Sequence, residues 1–81
     1  MLSEEDLEKL KATKECEGCD LIGVNLLNAN LVDANLSGAN LSKTILTSAN
    51  LTNARLDNTN LTGTIFCGTK MPDETIDNSG C

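Results

Sequence analysis

The chain contains no histidine and almost no aromatic residues. Tryptophan and tyrosine are absent, and Phe66 is the single phenylalanine among 81 residues. Without histidine, acid–base catalysis and imidazole metal binding lose their most common side chain. The chain also has no Ser-His-Asp set, Walker loop or dinucleotide fingerprint, and no pair of carboxylates is placed for acid–base work. We therefore expect no catalytic residues, no cofactor and no metal.

Long hydrophobic runs and positive charge are also scarce. No stretch of eighteen apolar residues is present, so we expect no membrane insertion. Six basic residues stand against twelve acidic ones, and the net charge of −6 predicts repulsion from nucleic acid and from anionic membranes. The acidity is concentrated in residues 1–18 and 69–81, while residues 19–68 carry a net charge of only −1.

The dominant feature of the sequence is a five-residue period. A large apolar residue recurs every fifth position, at Leu21, Leu26, Leu31, Leu36, Leu41, Leu46, Leu51, Leu56, Leu61 and Phe66. Two places before each stands a smaller residue: Cys19, Val24, Ala29, Ala34, Ala39, Thr44, Ala49, Ala54, Thr59 and Thr64. Asparagine often lies between the two, at Asn25, Asn30, Asn35, Asn40, Asn50 and Asn60. A period of five matches neither a helix nor a simple strand, and it indicates a solenoid of stacked turns.

This A-N-L-x-x pattern resembles the pentapeptide repeat family over ten consecutive pentads, Cys19 to Gly68. The resemblance implies an all-β solenoid, a right-handed quadrilateral β-helix with four pentads per coil and about 2.5 coils. It also implies that the leucines and the small residues point inward. The composition is compatible, because the remaining positions hold mostly Asn, Ser, Thr, Asp and Gly, which favour turns.

The residues on either side of the repeat are expected to cap it. Residues 1–14 predict an amphipathic helix with Ser3 as N-cap, Asp6 completing a capping box, and Leu7 and Leu10 on one face. Solenoids need such caps because their end coils otherwise expose core and unpaired edges. We therefore divide the chain into an N-terminal helical cap and linker (1–18), a β-helix (19–68) and an irregular C-terminal cap (69–81). In the last of these, Met71 and Ile76 are expected to plug the final coil.

Few of the outward positions are apolar, namely Ile22, Leu27, Val32, Ile45 and Ile65. The first three lie on successive sides of the first coil, and we expect the N-terminal helix and its linker to pack on some of them. A protein-contact patch is the alternative.

Four asparagines of the repeat begin glycosylation sequons, which are by-products of the repeat: Asn35, Asn40, Asn50 and Asn60. We expect them to hydrogen-bond between coils or to water.

Four cysteines lie at the two ends of the repeat. In the coil that the resemblance implies, Cys19 and Cys67 are about 11 Å apart by coil rise, too far for a disulfide or a shared zinc site. We expect local disulfides, Cys16 with Cys19 and Cys67 with Cys81. The second closes a loop of about 15 residues, worth about 3 kcal/mol in the chain-entropy model. Reduced structural thiols, a redox-active Cys-x-x-Cys and zinc binding remain alternatives.

The Cys16-x-x-Cys19-Asp20 entry and the tail with Pro72 and Cys81 resemble short pentapeptide repeat proteins of cyanobacteria and plant chloroplasts. Glu74 departs from the glycine expected after Pro-Asp. Such proteins are typically exported to the periplasm or thylakoid lumen, where disulfides persist. We expect that location here, with the cytoplasm as alternative. Met1 is then either a native start or a residue that follows a removed targeting segment.

These observations predict a non-enzymatic structural or protein-interaction module with an unidentified protein partner. The caps favour a monomer. A redox-responsive dithiol protein is the alternative. The resemblance also suggests DNA mimicry, since some longer family members bind gyrase as acidic rods. A tube only ~12 Å long with nearly neutral faces disfavours it.

Overall fold

A computed structural model describes residues 3–81 of the chain. Met1 and Leu2, which the prediction included in the N-terminal helix, lie outside the described residues. The regular elements are α1 (Glu4–Thr13), β1 (Thr69–Lys70) and β2 (Ile76–Asp77). Between α1 and β1 the chain is a series of turns joined by isolated parallel bridges. No helix within residues 3–81 has the length and hydropathy needed to cross a bilayer.

The bridges connect residues that lie twenty positions apart. Asp20 pairs with Asn40, for example, and Asn40 pairs with Asn60. At the first of these bridges, the Leu21 amide donates to the Asn40 carbonyl at 2.9 Å, and the Asn40 amide donates to the Cys19 carbonyl at 2.8 Å. Twenty residues are four pentads, so successive segments of four pentads, here called coils, stack in parallel register.

Every pentad except that of Phe66 contains one tight turn, and the Phe66 carbonyl accepts from the Gly80 amide instead. The carbonyl of the central residue accepts from the amide three positions on, as in Leu21 with Val24 at 3.2 Å. From the pentad of Cys16 to that of Leu61, the residue two positions after the central one has a positive φ, which is characteristic of a type II turn. In the turn at Met71, the positive φ lies one residue later, at Glu74. Glycine adopts this conformation without steric cost, as at Gly23 with φ of 70°. Asparagine is the most common substitute there, because its short polar side chain tolerates the left-handed region.

The stack is longer than the predicted 2.5 coils, because one further pentad lies at each end. Cys16 and Met71 take central positions, and their carbonyls accept turn bonds from Cys19 at 3.1 Å and Glu74 at 2.8 Å. The bridges accordingly run from Glu15 to Lys70, so residues 15–18 join the ladder instead of forming only a linker. Three coils at about 4.8 Å each give a height of about 14 Å. The leucine pattern did not predict these two pentads, because the repeat is defined by its backbone turn and the central residue need not be leucine.

Burial of the core varies from coil to coil. The central leucines of the middle coil, Leu36, Leu41, Leu46 and Leu51, are all 0% exposed. Those of the first coil are also buried beneath α1. In the third coil, Phe66 is buried, but Leu56, Leu61 and Met71 are only partly buried against the core. The N-terminal end of the core is therefore better covered than the C-terminal end.

Helix α1 caps the first coil through both apolar and polar contacts. Leu10 is 1% exposed, and Leu7 packs against the same core. Ser3 is the N-cap and accepts from the Asp6 amide at 3.3 Å. The second half of the predicted capping box is wrong, because the Asp6 carboxylate accepts from the Asp20 amide at 2.8 Å instead. The Ser3 amide donates to the Asp20 carbonyl at 3.1 Å, so this end of α1 supplies partners to the edge of the first coil.

The C-terminal cap is a short hairpin. β1 and β2 pair antiparallel, with Thr69 opposite Asp77 and Lys70 opposite Ile76. Met71 packs partly against the core as expected, but the prediction for Ile76 is wrong, since its side chain is 56% exposed. The hairpin pairing holds Ile76 beside Lys70, so its side chain does not enter the end of the coil.

Candidate interaction surfaces and cysteine pairs

The structure brings together both predicted cysteine pairs. The Cα atoms of Cys16 and Cys19 are 5.2 Å apart, and those of Cys67 and Cys81 are 5.1 Å apart, each pair in disulfide geometry. The first pair is buried beneath α1 at 0% and 3% exposure. In the second, Cys67 is half-buried and Cys81 is exposed. The two pairs therefore differ in how easily a thiol in solution can reach them.

The outward asparagines bond within their own turns. Each side-chain oxygen accepts from the amide two residues further on, as in Asn25 with Leu27 at 3.0 Å and Asn60 with Thr62 at 3.0 Å. The same bond is made by Asn30, Asn35, Asn40 and Asn50. These oxygens bond locally in Asx turns and not between coils. The Asn35 side-chain nitrogen does bond between coils, as expected, because it donates to the Glu17 carboxylate at 3.5 Å.

Threonine at the small inward position has a role that the sequence pattern did not reveal. The Thr44 hydroxyl donates at 2.8 Å to the carbonyl of Leu21, the central residue of the preceding coil. The same bond is made by Thr59 to Leu36, Thr64 to Leu41 and Thr69 to Leu46. The available signal was the presence of threonine at several of the small inward positions that otherwise hold mostly alanine. These residues tie neighbouring coils together from the inside.

Charged side chains lie on the surface of the stack. Arg55 pairs with Asp57 at 3.5 Å, and Lys70 pairs with Glu74 at 3.6 Å. In the C-terminal cap, hydrogen bonds from the Thr75 hydroxyl and amide hold the pKa of Asp73 below its usual value. The Ser79 hydroxyl and amide likewise lower the pKa of Asp77. Among residues 3–81, no three His, Cys, Asp or Glu side chains are placed to bind one metal ion.

Helix α1 leaves part of the first coil uncovered. A groove of about 330 Å³, here called the first-coil groove, lies beside α1 and is lined by residues that include Leu10, Lys11, Lys14, Asn25, Leu27 and Asn30. Leu27 is 53% exposed, so it is not among the apolar side chains of this coil that the N-terminal cap covers. Ile22 and Val32 are half-buried. This groove combines exposed apolar surface with two lysines.

A second depression, of about 420 Å³, runs along another side of the stack. Its lining includes Glu17, Ser37 and Asp57, which recur at intervals of twenty residues, and Gly18 and Gly38 beside them. Within residues 3–81, the Ser37 hydroxyl is buried without a hydrogen-bond partner. This surface is polar, in contrast to the first-coil groove.

Comparison with protein families matches the chain to pentapeptide repeats, in eight copies over residues 15–47 and 44–72. The match covers well over half of the chain. The chain belongs to the pentapeptide repeat family. The matched region begins at Glu15 and ends at Pro72, which agrees with the extra pentads around Cys16 and Met71.

Two solved structures are similar to this family member. One is Rfr23, a pentapeptide repeat protein from the cyanobacterium Cyanothece 51142, at 48% identity over 62% of this chain, with a TM-score of 0.61. The other is HetL from the cyanobacterium Nostoc sp. strain PCC 7120, involved in heterocyst differentiation regulation, at 31% identity over 78% of this chain, with a TM-score of 0.27. The chain spans only 34% and 36% of their respective lengths. Comparison with curated proteins finds no significant match.

Proposed function

We propose that this pentapeptide repeat protein is a non-enzymatic structural or protein-interaction module in an exported or lumenal compartment. Members of its family are generally structural or interaction modules. Family membership and the spacing of twenty residues between bridges also support the finer description of the fold, a right-handed quadrilateral β-helix. We expect the protein to be a monomer that binds another protein. We expect it to bind no nucleic acid and to insert into no membrane.

The observation that carries the interaction proposal is that outward-facing polar side chains form hydrogen bonds within their own turns. Oxygens such as those of Asn25, Asn40 and Asn60 are occupied by amides of their own turns. The sides of the stack consequently present a regular, preorganised surface. A rigid surface loses little conformational entropy on binding, which favours recognition of another protein.

The cysteine pairs support the proposed compartment. Disulfides persist in oxidising environments such as the periplasm and are rare where glutathione and thioredoxin keep thiols reduced. Both pairs already have disulfide geometry. The periplasm and the thylakoid lumen are therefore the locations we propose, and reduced thiols in protein alkylated inside its native cells would contradict them.

Photo-crosslinking inside native cells tests the interaction role. A photo-reactive residue is placed at one exposed turn position on each side of the stack, at Asn28, Asp33, Lys43 or Asn58. We expect one side, or two adjacent sides, to give a discrete covalent adduct with another protein. The remaining sides serve as matched controls. Absence of any adduct, or equal labelling from all four sides, would overturn the interaction proposal.

A redox-responsive role is a second candidate, favoured by one observation. Cys81 is exposed and Cys67 is half-buried, whereas Cys16 and Cys19 are nearly inaccessible. A thiolate can therefore attack the Cys81 sulfur while the Cys16–Cys19 pair stays intact. The order in which the two pairs open under a thiol reductant distinguishes this role from a purely structural one.

A further inference from the structure

We propose that the first-coil groove binds an extended peptide segment of a partner protein, one that carries aliphatic side chains beside acidic residues. This inference rests on the proposed interaction function and specifies its site and the chemistry of its partner. Three features of the groove support it: an unpaired backbone edge, an exposed apolar floor and a lysine rim.

The backbone edge of the first coil is only partly satisfied by the N-terminal cap. The Asp6 carboxylate and the Ser3 amide pair with the backbone of Asp20. The Lys14 ammonium donates to the Val32 carbonyl at 3.4 Å. These three contacts take the place of bonds that a preceding coil would make, and they lie on either side of the groove.

Between these contacts, the backbone of Asn25 and Asn30 is open. One coil later, the equivalent amides of Ile45 and Asn50 each donate at 2.9 Å to a carbonyl of the coil before. Within residues 3–81, the N–H and C=O groups of Asn25 and Asn30 make no such bond. Each residue thus offers one donor and one acceptor to an incoming chain. Addition of an extended peptide to an open β-edge is an established mode of recognition.

The floor of the groove favours aliphatic side chains. Leu27 lines the groove and is 53% exposed, and Leu26 and Leu31 lie beneath it at 6% and 4% exposure. Ala29 is half-buried here, whereas the equivalent Ala49 of the middle coil is 1% exposed. An aliphatic side chain over Leu27 and Ala29 would therefore remove apolar surface from water, as the first coil does for Ala49 of the middle coil.

The rim of the groove selects for negative charge. Lys11 is exposed and Lys14 is half-buried at the edge formed by α1. The chain as a whole carries a net charge of −6, so two lysines beside an apolar groove are a local exception. Carboxylates flanking the aliphatic residues would pair with these ammonium groups, whereas a basic peptide would be repelled.

A peptide-binding measurement tests the proposal with the full chain. The probe is Glu-Val-Glu-Leu-Glu-Val-amide with fluorescein coupled to its N-terminal amine, and its matched control has lysine in place of every glutamate and the same N-terminal label. By fluorescence polarisation, we expect the acidic probe to bind at least about tenfold more tightly than the basic one, since like charges at an interface disfavour association. In amide NMR spectra, the signals of Asn25, Leu27 and Asn30 should shift on addition of the acidic probe.

Two substitutions should each weaken this binding by about tenfold or more, as expected for residues at the centre of a contact. They are Leu27→Asp, which puts a carboxylate on the floor, and Lys11→Glu, which reverses charge on the rim. Ile65→Asp and Lys43→Glu are matched controls, because Ile65 is another exposed aliphatic residue and Lys43 another exposed lysine outside the groove. Both controls should bind the probe like the original protein.

Several outcomes would overturn the inference. They are failure of the acidic probe to bind, equal binding by Leu27→Asp, or NMR shifts confined to the third coil. Self-association that Leu27→Asp abolishes would assign the groove to a second copy of the chain instead. If the probe fails while one side still crosslinks to a protein in cells, this inference falls and the interaction function stands. If the probe binds but no side crosslinks to a protein in cells, the groove can bind a peptide but the proposed interaction function in cells is contradicted.

Discussion

At the scale of single residues, threonine at the small inward position combines two functions. Its methyl group fills the narrow interior as alanine does, and its hydroxyl bonds to the coil before. Thr44 is 0% exposed and donates to the Leu21 carbonyl at 2.8 Å, whereas Thr64 makes the same bond from a half-buried position. A comparison of Thr44 with Thr64 therefore shows how burial changes the contribution of this hydrogen bond to stability.

We predict that Thr44→Val lowers the free energy of unfolding by about 1 kcal/mol, because a typical intramolecular hydrogen bond contributes that much. Leu21 loses the bond from the hydroxyl, but its carbonyl still accepts from the Val24 amide, which limits the cost. Guanidinium-induced unfolding followed by circular dichroism measures the difference. Thr64→Val is the control and should have the smaller effect, since solvent can replace its bond. Unchanged or higher stability in Thr44→Val would show that the buried hydroxyl adds nothing.

At the scale of elements, the two caps protect the stack to different extents. Helix α1 places Leu10 over the first coil and pairs with the Asp20 backbone, and the Cys16–Cys19 pair lies buried beneath it. The C-terminal hairpin leaves Ile76 in solvent and is joined to the third coil by the Gly80 amide, which donates to the Phe66 carbonyl at 2.7 Å. The accessible Cys67–Cys81 pair lies at this end.

We predict that a graded thiol reductant opens the Cys67–Cys81 pair before the Cys16–Cys19 pair in the folded protein. The reductant thiolate attacks the exposed Cys81 sulfur, Cys67 leaves as a thiolate, and a second thiol resolves the mixed disulfide. Alkylation followed by peptide mass spectrometry should find labels on Cys67 and Cys81 first.

Protein unfolded in guanidinium is the control for this order, and the preference should largely disappear there because burial no longer protects Cys16 and Cys19. Simultaneous opening of both pairs in the folded protein would contradict the prediction. It would also remove the observation that favours a redox-responsive role.

At the scale of the whole molecule, the stack is so short that one coil out of three is fully internal. Leu41, in the middle coil, is 0% exposed, while Leu61, twenty residues later on the same side, is only partly buried. Each coil contacts only its neighbours, so stability should depend on whether both faces of a coil are covered. The described residues measure about 29 × 22 × 22 Å, which shows how little length the repeat adds.

We predict that Leu41→Ala lowers the free energy of unfolding by about 2–5 kcal/mol, the usual cost of a fully buried leucine truncated to alanine. Leu61→Ala should cost clearly less, because its partly exposed site loses less contact and can fill with water. Denaturant unfolding with both disulfides intact gives the comparison. If Leu41→Ala does not fold, Leu41→Met and Leu61→Met supply the same contrast at a smaller cost. Equal losses at the two positions would show that the third coil is as well covered as the middle one.

The sequence by itself determined the repeat, the inward positions and the approximate extent of α1. A five-residue period with one large and one small apolar residue allows few backbone arrangements, and family membership confirms the recognition. Tertiary structure decided the rest. Whether Cys16 and Met71 continue the stack depends on backbone bonds to coils that are distant in sequence. Whether Asp6 completes a capping box or pairs with Asp20 depends on where α1 comes to rest. Likewise Leu27 is exposed and Leu10 buried because a short helix cannot cover the whole of the coil beneath it.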